Sequence, residues 1–586
     1  MEFSWEAVDG VVAALLWPLG VWIVFSGVDD LFVDIAGFVV SIRGRLRNWR
    51  PSRRELLGTQ QKPIAILVPL WQEAAVIGRM VQQNSAAILY REYHFFIGAY
   101  PNDEPTLSEI RKLEKRYSHV HLTVCPHDGP TSKADCLNWI FQNIIAYEQR
   151  HAVQFEVLMT HDAEDVMHSD ALHWINYYSG EYDMVQVPVL PLRTPLTEWT
   201  HGVYMDDFTE YQTRDMPVRQ AMGAFVPSNG VGTGFRRSAL DQLASRDNNC
   251  VFEPVCLTED YENGLRLGLA GAKQMFLPLH VEGMATREYF PHKVRAAIRQ
   301  RTRWVTGIAL QTWDRHGWKG SAVQKYWLWR DRKGLLGSPV SLLTNVIFAY
   351  VLARCIFGVA MPDIPLLHAG AFFAVYRLIY RMVCVGRIYG LAIALCVLLR
   401  VPLANWINSA ASVLAMKRFF AAKWNHQPLV WVKTEHAYPS QAALAPQTMR
   451  LGELLVANGY ISEAQLEHAL RSKPGNARLG EHLVQCGCID EESLYEGLSL
   501  QRCIPQCRVE PSHVKRAVAR SLPAEVARRN KLVPFRVEAG HLVIAGPELP
   551  TPELRDELRR FTSLEIEFQL VTPSNYAELS SALLPA

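Results

Sequence analysis

Apolar and polar positions change their pattern several times along the chain, and each pattern predicts a different kind of element. Residues 10–28 are uncharged for nineteen positions (28 − 10 + 1) and include Trp17, Trp22 and Phe25. That length crosses a bilayer core. The next apolar run, 31–42, is interrupted by Asp34 and reads as an interfacial or re-entrant helix, not a second span. From 60 to 332 short apolar runs alternate with amphipathic stretches. Residues 64–70, 94–99, 120–124 and 155–160 read as buried strands with helices between them. Such alternation predicts a Rossmann-like α/β domain with a mainly parallel sheet and ligands at the carboxyl ends of its strands. Residues 334–353 are uncharged for twenty positions (353 − 334 + 1), and 366–376 lead back. The runs 388–399 and 401–416, split by Arg400, are each short for a span. Two spans here, three in all, would leave the C-terminal region on the same side as the α/β domain. The predicted organisation is an anchor and interfacial segment (1–59), the α/β domain (60–332), membrane or interfacial helices (333–420), a linker (421–447) and a small C-terminal domain (448–586).

Charge sets the topology. Arg43, Arg45, Arg47, Arg50, Arg53 and Arg54 follow the first span, which predicts a cytoplasmic α/β domain. Glu2, Glu6 and Asp9 stand where a signal peptide carries basic residues, and no cleavage site is evident, so the first span reads as a retained anchor. A formal net charge of +2 argues against a polyanion binder, and DNA and RNA are not expected partners. The 11 cysteines form no tight framework. Cys486 and Cys488 lie near Cys503 and Cys507, but without the C-x-x-C spacing of a zinc site.

Candidate chemistry is concentrated at the strand ends. The stretch 159–166, MTHDAEDV, places Asp162, Glu164 and Asp165 within four positions after an apolar run. Carboxylates this close repel one another and are tolerable only when water, a cation or a metal-bound phosphate neutralises them, and read alone the stretch could equally be an acidic surface turn after a strand. Glu73 and Asp103 end two further strands, and no GxGxxG or GxxxxGK[ST] occurs near them. Then follow Ser132-Lys133-Ala134-Asp135-Cys136-Leu137-Asn138, the Gly-rich run from Asn229 to Arg237, Thr258-Glu259-Asp260, and Gln300-x-x-Arg303-Trp304 in a basic helix. Read singly, Glu259 and Asp260 could be first-turn acids favoured by a helix dipole, and Arg303 with Trp304 a membrane-surface pair.

The ordered set resembles the processive membrane-embedded members of the family 2 inverting glycosyltransferases, such as cellulose and hyaluronan synthases, over about residues 60–310. The resemblance implies a GT-A catalytic domain, a UDP-sugar donor and Mg²⁺ or Mn²⁺. It implies Asp260 as the base, with Glu259, Gln300, Arg303 and Trp304 at the catalytic centre. Glu73, Asp103, Lys133 and Asp162 would bind the UDP-sugar. The family pattern at the metal turn is Asp-x-Asp. Here Glu164 holds the second acidic position, and Glu164 and Asp165 both stand as candidate partners of Asp162.

The C-terminal region repeats itself. Arg450-Leu451-Gly452-Glu453 recurs as Arg478-Leu479-Gly480-Glu481, an offset of 28 (478 − 450). Leu455 and Leu483, Gly459 and Gly487, Ile461 and Ile489, Leu466 and Leu494, and Leu470 and Leu498 keep that offset. Each unit predicts two short packed helices. The pair resembles the cyclic di-GMP-binding MshEN domain of secretion ATPases, in which each unit holds half of a twofold dinucleotide. These positions, with Gln501, become the implied cyclic di-GMP contacts. The first unit has Lys473 where the second has Gln501. An α+β segment completes the domain. The full order resembles the bacterial inner-membrane phage-adsorption proteins of exopolysaccharide secretion, which implies an outer-membrane export partner. The expectation is a multi-pass inner-membrane polysaccharide synthase, using a UDP-linked N-acetylhexosamine and switched by cyclic di-GMP. A transferase that glycosylates a polyprenyl phosphate once, and a non-catalytic messenger-binding scaffold, are the alternatives.

Overall fold

The computed structural model describes residues 5–46, 51, 53–88, 90–246, 249–278, 284–358, 365–427, 429, 450–457, 460–502, 504, 506–538, 541–548 and 550–584. Arg47, Arg50, Gly459, Cys503 and the linker residues 438–447 lie outside the described residues. Two compact units separate, 1–81 with 90–438, and 82–89 with 439–586.

Along the chain the elements are α1 (Trp5–Leu46), α2 (Arg53–Gly58), β1 (Ile64–Pro69), α3 (Ala74–Ala87), β2 (Tyr93–Ala99), α4 (Glu104–Arg116), β3 (Val120–Val124), α5 (Lys133–His151), β4 (Val157–Thr160), α6 (Ala171–Tyr178), β5 (Met184–Gln186), β6 (Val189–Pro191), α7 (Trp199–Glu210), α8 (Met216–Ala221), β7 (Thr233–Arg236), α9 (Arg237–Arg246), α10 (Glu259–Leu269), β8 (Gln274–Phe276), β9 (Thr286–Glu288), α11 (Val294–Trp304), α12 (Thr312–His316), α13 (Ala322–Ile356), α14 (Pro365–Tyr389) and α15 (Leu391–Trp424). Two π-helical turns, Tyr211–Asp215 and Val305–Gln311, interrupt the helical stretches that follow α7 and α11.

A seven-stranded sheet runs in the order β3-β2-β1-β4-β7-β5-β8. It is parallel except at β7, which is antiparallel to β4 and β5. The four strands read from the pattern are β1 to β4. β1, β2 and β4 are almost wholly buried, as strands covered on both faces must be, whereas the edge strand β3 is only partly buried and leaves Val124 exposed. β5 to β9 have three or four residues each, too short for an apolar rhythm, and were not foreseen. β6 and β9 pair separately. β9 also bridges to the turn after β4, where Val166 and Arg287 exchange backbone bonds of 2.9 Å.

The membrane region departs from expectation in two ways. Residues 31–42 are no separate segment, because α1 continues unbroken from Trp5 to Leu46. Its acids are neutralised by neighbours. Asp29 pairs with Arg330 and Lys333, Asp30 with Arg214, Arg330 and Arg377, and Asp34 accepts from Tyr376 Oη at 2.8 Å. At the other end of α1, Asp9 pairs with Arg354 and Tyr350. Asp9 and Asp29 are twenty residues apart (29 − 9), roughly 30 Å of helix, which is the thickness of a bilayer core. The ion pairs of α1 and α13 therefore stand as two belts with the apolar lengths between them.

Second, the two short runs around Arg400 form one helix, α15, so four helices among the described residues are long and apolar enough to cross a membrane, against three expected. Arg400 does not break the helix, because Asp206 of α7 meets it with bonds of 2.8 and 2.6 Å. From Ile393 to Ala415, roughly 33 Å, α15 follows the α/β domain. It packs on Met205, then Tyr204 and Ala297, then Ala309 and Leu310.

In the smaller unit each sequence repeat is a helix pair, Leu451–Ala457 with Glu463–Ser472, and Leu479–Gln485 with Glu491–Arg502. The repeats exchange contacts. A Cβ on Gly452 would lie 2.5 Å from Leu466 of its own repeat and 3.1 Å from Leu479 of the other. A Cβ on Gly480 would lie 2.6 Å from Leu494 and 3.4 Å from Leu451. A three-stranded sheet, β10 (Val533–Glu538), β11 (His541–Gly546) and β12 (Glu565–Leu570), shares their apolar core.

Arg400 and Asp206 test the α15 attachment. Burial pushes the Asp206 carboxyl up and Arg400 only partly offsets this. Arg400→Met alone strands a buried carboxylate and should cost about 3–5 kcal/mol. Arg400→Met combined with Asp206→Leu should recover most of that loss. Thermal unfolding of the four proteins of this double-mutant cycle, in one detergent, provides the measurement.

Candidate active site

The cavity at the carboxyl ends of β1 and β4 gathers side chains from across the α/β domain. β1 delivers Trp71 and Glu73, and β4 delivers Asp162 and Glu164. α5 begins at Lys133, behind the N-cap Ser132, whose Oγ accepts from Asp135 N at 3.2 Å. α10 begins with Glu259 and Asp260, and α11 ends with Gln300, Arg303 and Trp304. All of these side chains line one cavity. The helix-dipole reading of Glu259 and Asp260 and the catalytic reading thus hold together. They are first-turn acids, and they also face the cavity.

Lys133 is the hub. Its Nζ is 2.5 Å from Asp162 Oδ1 and 4.0 Å from Glu259 Oε1. Gly230, at φ +79°, passes so close that a Cβ there would be 2.6 Å from Asp260 Oδ2 and 3.4 Å from Lys133 Nζ. The Gly-rich run is therefore a close backbone wall beside the acids. Burial pulls the Lys133 ammonium down, but Asp162, Glu259 and Asp260 outweigh it and hold the group charged. Burial, then the charge of Asp260, pushes Glu259 up to about 7. Burial also raises Asp260, with Lys133, the Tyr261 amide and Arg303 in opposition.

The acidic triplet divides its work. Asp165 is fully buried and does not line the cavity. Its Oδ2 lies 2.5 Å from His161 Nδ1 and accepts from Asp162 N at 2.9 Å. Burial pulls His161 down to about 3, while burial and then the charges of Asp162 and Glu164 push Asp165 up. Asp165 holds the turn from behind, while Asp162 and Glu164 face the cavity. Asp103 is also withdrawn. It is buried, its Oδ2 accepts from Gln72 N at 2.5 Å, and it is not among the lining residues. Glu73 reaches the cavity, with its amide bound to Thr106 Oγ1 at 3.1 Å.

Two residues of this site were not legible in the pattern. Glu288 lines the cavity from β9, brought beside the turn by the Val166–Arg287 bridge. Burial, then the charges of Asp165, Glu164 and Asp162, raises its carboxyl well above the usual range. Gly307, in the π-helical turn after Trp304, is the other. A Cβ there would lie 2.2 Å from Thr258 Oγ1. The Gln-x-x-Arg-Trp helix and the Thr-Glu-Asp turn therefore touch through a glycine that nothing in either motif announces. Trp304 also packs against Tyr204, Phe208 and Phe290, which fixes its ring at the cavity edge.

Metal fit rests on the donor set. Asp162 and Glu164 offer hard oxygen ligands in an acid-rich cavity, which suits Mg²⁺ or Mn²⁺. No cluster of three ligands is disposed for a metal among the described residues, so the phosphates of a substrate and water would complete the coordination. A larger cavity of about 750 Å³ adjoins this one past Thr131, Ser132 and Leu257, without the acids of the triplet or of Thr-Glu-Asp.

In the smaller unit the repeat positions fall into two groups. Leu455, Ile461, Leu483, Ile489 and Leu494 belong to the core and hold the frame. Arg450, Arg478 and Leu470 are exposed, and Leu451, Leu466, Leu479, Leu498 and Gln501 are half-buried. Gly452 and Gly480 make the exchanged helix contacts, and Gly487 turns the chain at φ +68°. Lys473 Nζ donates to the carbonyls of Pro474 and Ala477.

Comparison with known proteins places these sites in a family. Residues 61–307 match the model of "Glycosyltransferase like family 2", and residues 504–584 match that of the MshEN domain. The second match covers the α+β half of the smaller unit, beyond the repeats. Bacteriophage adsorption protein B of Escherichia coli strain K12 is 32% identical over 590 aligned positions, covering 94% of this chain and 79% of that protein. Bacteriophage N4 adsorption protein B of E. coli O157:H7 matches to the same extent. Among solved structures, the mannosyltransferase PcManGT from Pyrobaculum calidifontis, in complex with GDP-Man and Mn²⁺, aligns at 15% identity and a TM-score of 0.43, over 68% of this chain and 99% of that one. MshE with cdg aligns at 29% identity and a TM-score of 0.21, over 23% of this chain and 99% of that one. At that identity and coverage the chain belongs to the bacteriophage adsorption protein B family, as a membrane protein that joins a family 2 glycosyltransferase domain to an MshEN domain.

Proposed function

We propose that the protein is an inverting polysaccharide synthase of a bacterial inner membrane, with its catalytic and C-terminal domains in the cytoplasm. It transfers a sugar, an N-acetylhexosamine by sequence resemblance, from a UDP-sugar to a growing exopolysaccharide, under control of cyclic di-GMP. The observation that carries the reading is the meeting of Lys133, Asp162, Glu259, Asp260, Arg303 and Trp304 in one cavity, from motifs spread over 172 positions (304 − 132). α15 supports the topology. Because it follows the α/β domain, it serves as an interfacial helix, leaving α1, α13 and α14 as the three spans.

In this reading Asp260 takes the proton of the acceptor hydroxyl as that oxygen attacks the anomeric carbon. UDP leaves from the opposite face. Asp162 and Glu164 would hold a divalent cation, which would supply positive charge to the departing diphosphate. Arg303 adds a fixed guanidinium near the same charge, and Trp304 offers a flat face to a sugar ring. Lys133, beside Asp162 and Glu259, places a cation where the phosphates would lie. Glu73 orients the nucleoside.

UDP release from a UDP-N-acetylhexosamine measures the reaction. Asp260→Asn should lower kcat by about 10²–10⁴-fold. A base with a raised pKa is active only above it. The acid limb of kcat/KM should therefore lie above the ordinary carboxylate range of about 4, and activity should fall as pH drops through it. An unchanged rate in Asp260→Asn would end the assignment.

Metal titration separates the triplet. EDTA should abolish turnover. Glu164→Gln should raise the Mn²⁺ concentration for half-activation by about tenfold or more. Asp165→Asn should instead lower the melting temperature, with a smaller change in metal requirement. The reverse pattern would return Asp165 to the metal.

Calorimetric titration tests the control site. Arg450→Ala and Arg478→Ala should each weaken cyclic di-GMP binding by about tenfold or more, as expected when a charge-assisted contact is lost. UDP release by the parent should depend on the messenger. Equal binding in all three proteins would remove the repeat from recognition.

A further inference from the structure

Arg332 lies ten residues into α13 (332 − 322), at the start of the apolar length of that helix. It is 5% exposed, yet its Nε, Nη1 and Nη2 have no acceptor among the described residues. Its guanidinium lies 4.5 Å from the ring centre of Trp318 and 5.6 Å from that of Trp313. The two indoles are 5.9 Å apart and inclined by 62°. Arginine keeps its charge under all ordinary conditions and carries five N–H donors. Stacking on indoles favours the cation but satisfies none of those donors.

The carboxylates on the surrounding elements are already engaged. Asp331 accepts from both Nη atoms of Arg219 at 2.9 Å and from Tyr261 Oη at 2.5 Å. Glu262 is met by Arg315 and His316, both at 3.0 Å, and Asp314 by Lys423. Arg330 and Lys333, on either side in sequence, point to Asp29 and Asp30 of α1. Arg332 is thus a buried cation that no carboxylate among the described residues meets with a hydrogen bond, since neighbouring Asp331 is taken up by Arg219 and Tyr261.

Its location says what kind of anion would reach it. Leu336, one turn further along α13, is 64% exposed, and Trp313 and Trp318 are 44% and 42% exposed. An exposed apolar helix face with a tryptophan rim is the signature of the membrane–water interface. We propose that Arg332, beneath Trp313 and Trp318, binds the phosphate group of an anionic membrane lipid. The planar guanidinium matches two phosphate oxygens, and the indoles turn outward on their side-chain torsions to admit the headgroup. The site is distinct from the donor cavity, since none of these three residues lines it.

The test uses the full chain in nanodiscs of phosphatidylcholine alone, of phosphatidylcholine with phosphatidylglycerol, and of phosphatidylcholine with inorganic phosphate in the buffer. By native mass spectrometry the parent should retain one phosphatidylglycerol under activation that strips phosphatidylcholine. Arg332→Met should lower that occupancy at least tenfold, and Arg332→Lys, which keeps a charge without the fork, should fall between them. In the parent alone, amide exchange across residues 312–335 should slow with phosphatidylglycerol, and not with inorganic phosphate. Retention by Arg332→Met equal to the parent's would overturn the proposal. So would exchange that is the same in all three discs, and protection by inorganic phosphate alone would overturn the lipid assignment.

Discussion

Negative charge gathered in a buried cavity is the constraint on which the catalytic domain depends. Six carboxylates line the donor cavity (Glu73, Asp162, Glu164, Glu259, Asp260 and Glu288), against the two cations Lys133 and Arg303. Such a set is tolerable only with protons, a metal ion or both. The raised positions of Glu259, Asp260 and Glu288 have this origin, and Lys133 is drawn onto Asp162 for the same reason. Asp162 and Glu164 would hold a divalent cation here, and it would supply positive charge to this acid-rich cavity. The site is poised for a charged substrate because it is uncomfortable without one.

The same rule, that buried charge must be met, ties the catalytic domain to its membrane helices. Asp29, Asp30, Arg330 and Lys333 join α1 to α13, Arg214 and Glu210 bring in the π-helical segment and α7, and Arg377 and Arg381 bring in α14. Arg400 and Asp206 do this for α15. Arg301, two residues before Arg303, bonds Asp207 at 2.7 Å and Asn408 at 2.6 Å. The Gln-x-x-Arg-Trp helix is therefore held between the cavity on one face and α15 on the other.

Much of this was legible from residue order. Strands β1, β2 and β4 announced themselves because strands covered on both faces are nearly continuous apolar runs, and the edge strand β3 showed as a shorter run rich in β-branched residues. Lys133, Asp162, Glu259, Asp260, Arg303 and Trp304 were found because each belongs to a short motif at a strand or helix end. The 28-residue repeat predicted two helix pairs, and both are present. The misreadings share one cause. Asp34 and Arg400 looked like interruptions of apolar runs, since a lone charge is unfavourable in a span until its partner is known. Their partners lie 342 and 194 positions away, at Tyr376 and Asp206.

The sequence by itself determined the identity of the chemical groups and the local elements that carry them. Periodicity and motif spacing act over a few residues, and those signals survive in one dimension. Only the tertiary structure decided which groups share a cavity. It turned Asp165 and Asp103 away, brought Glu288 in from a three-residue strand, and set Gly307 against Thr258. Each of these follows from close packing and electrostatic pairing between distant segments. The stretch Asp162-Ala163-Glu164-Asp165 names three acids, and the backbone path after β4, held by His161 and β9, determines which of them face the cavity.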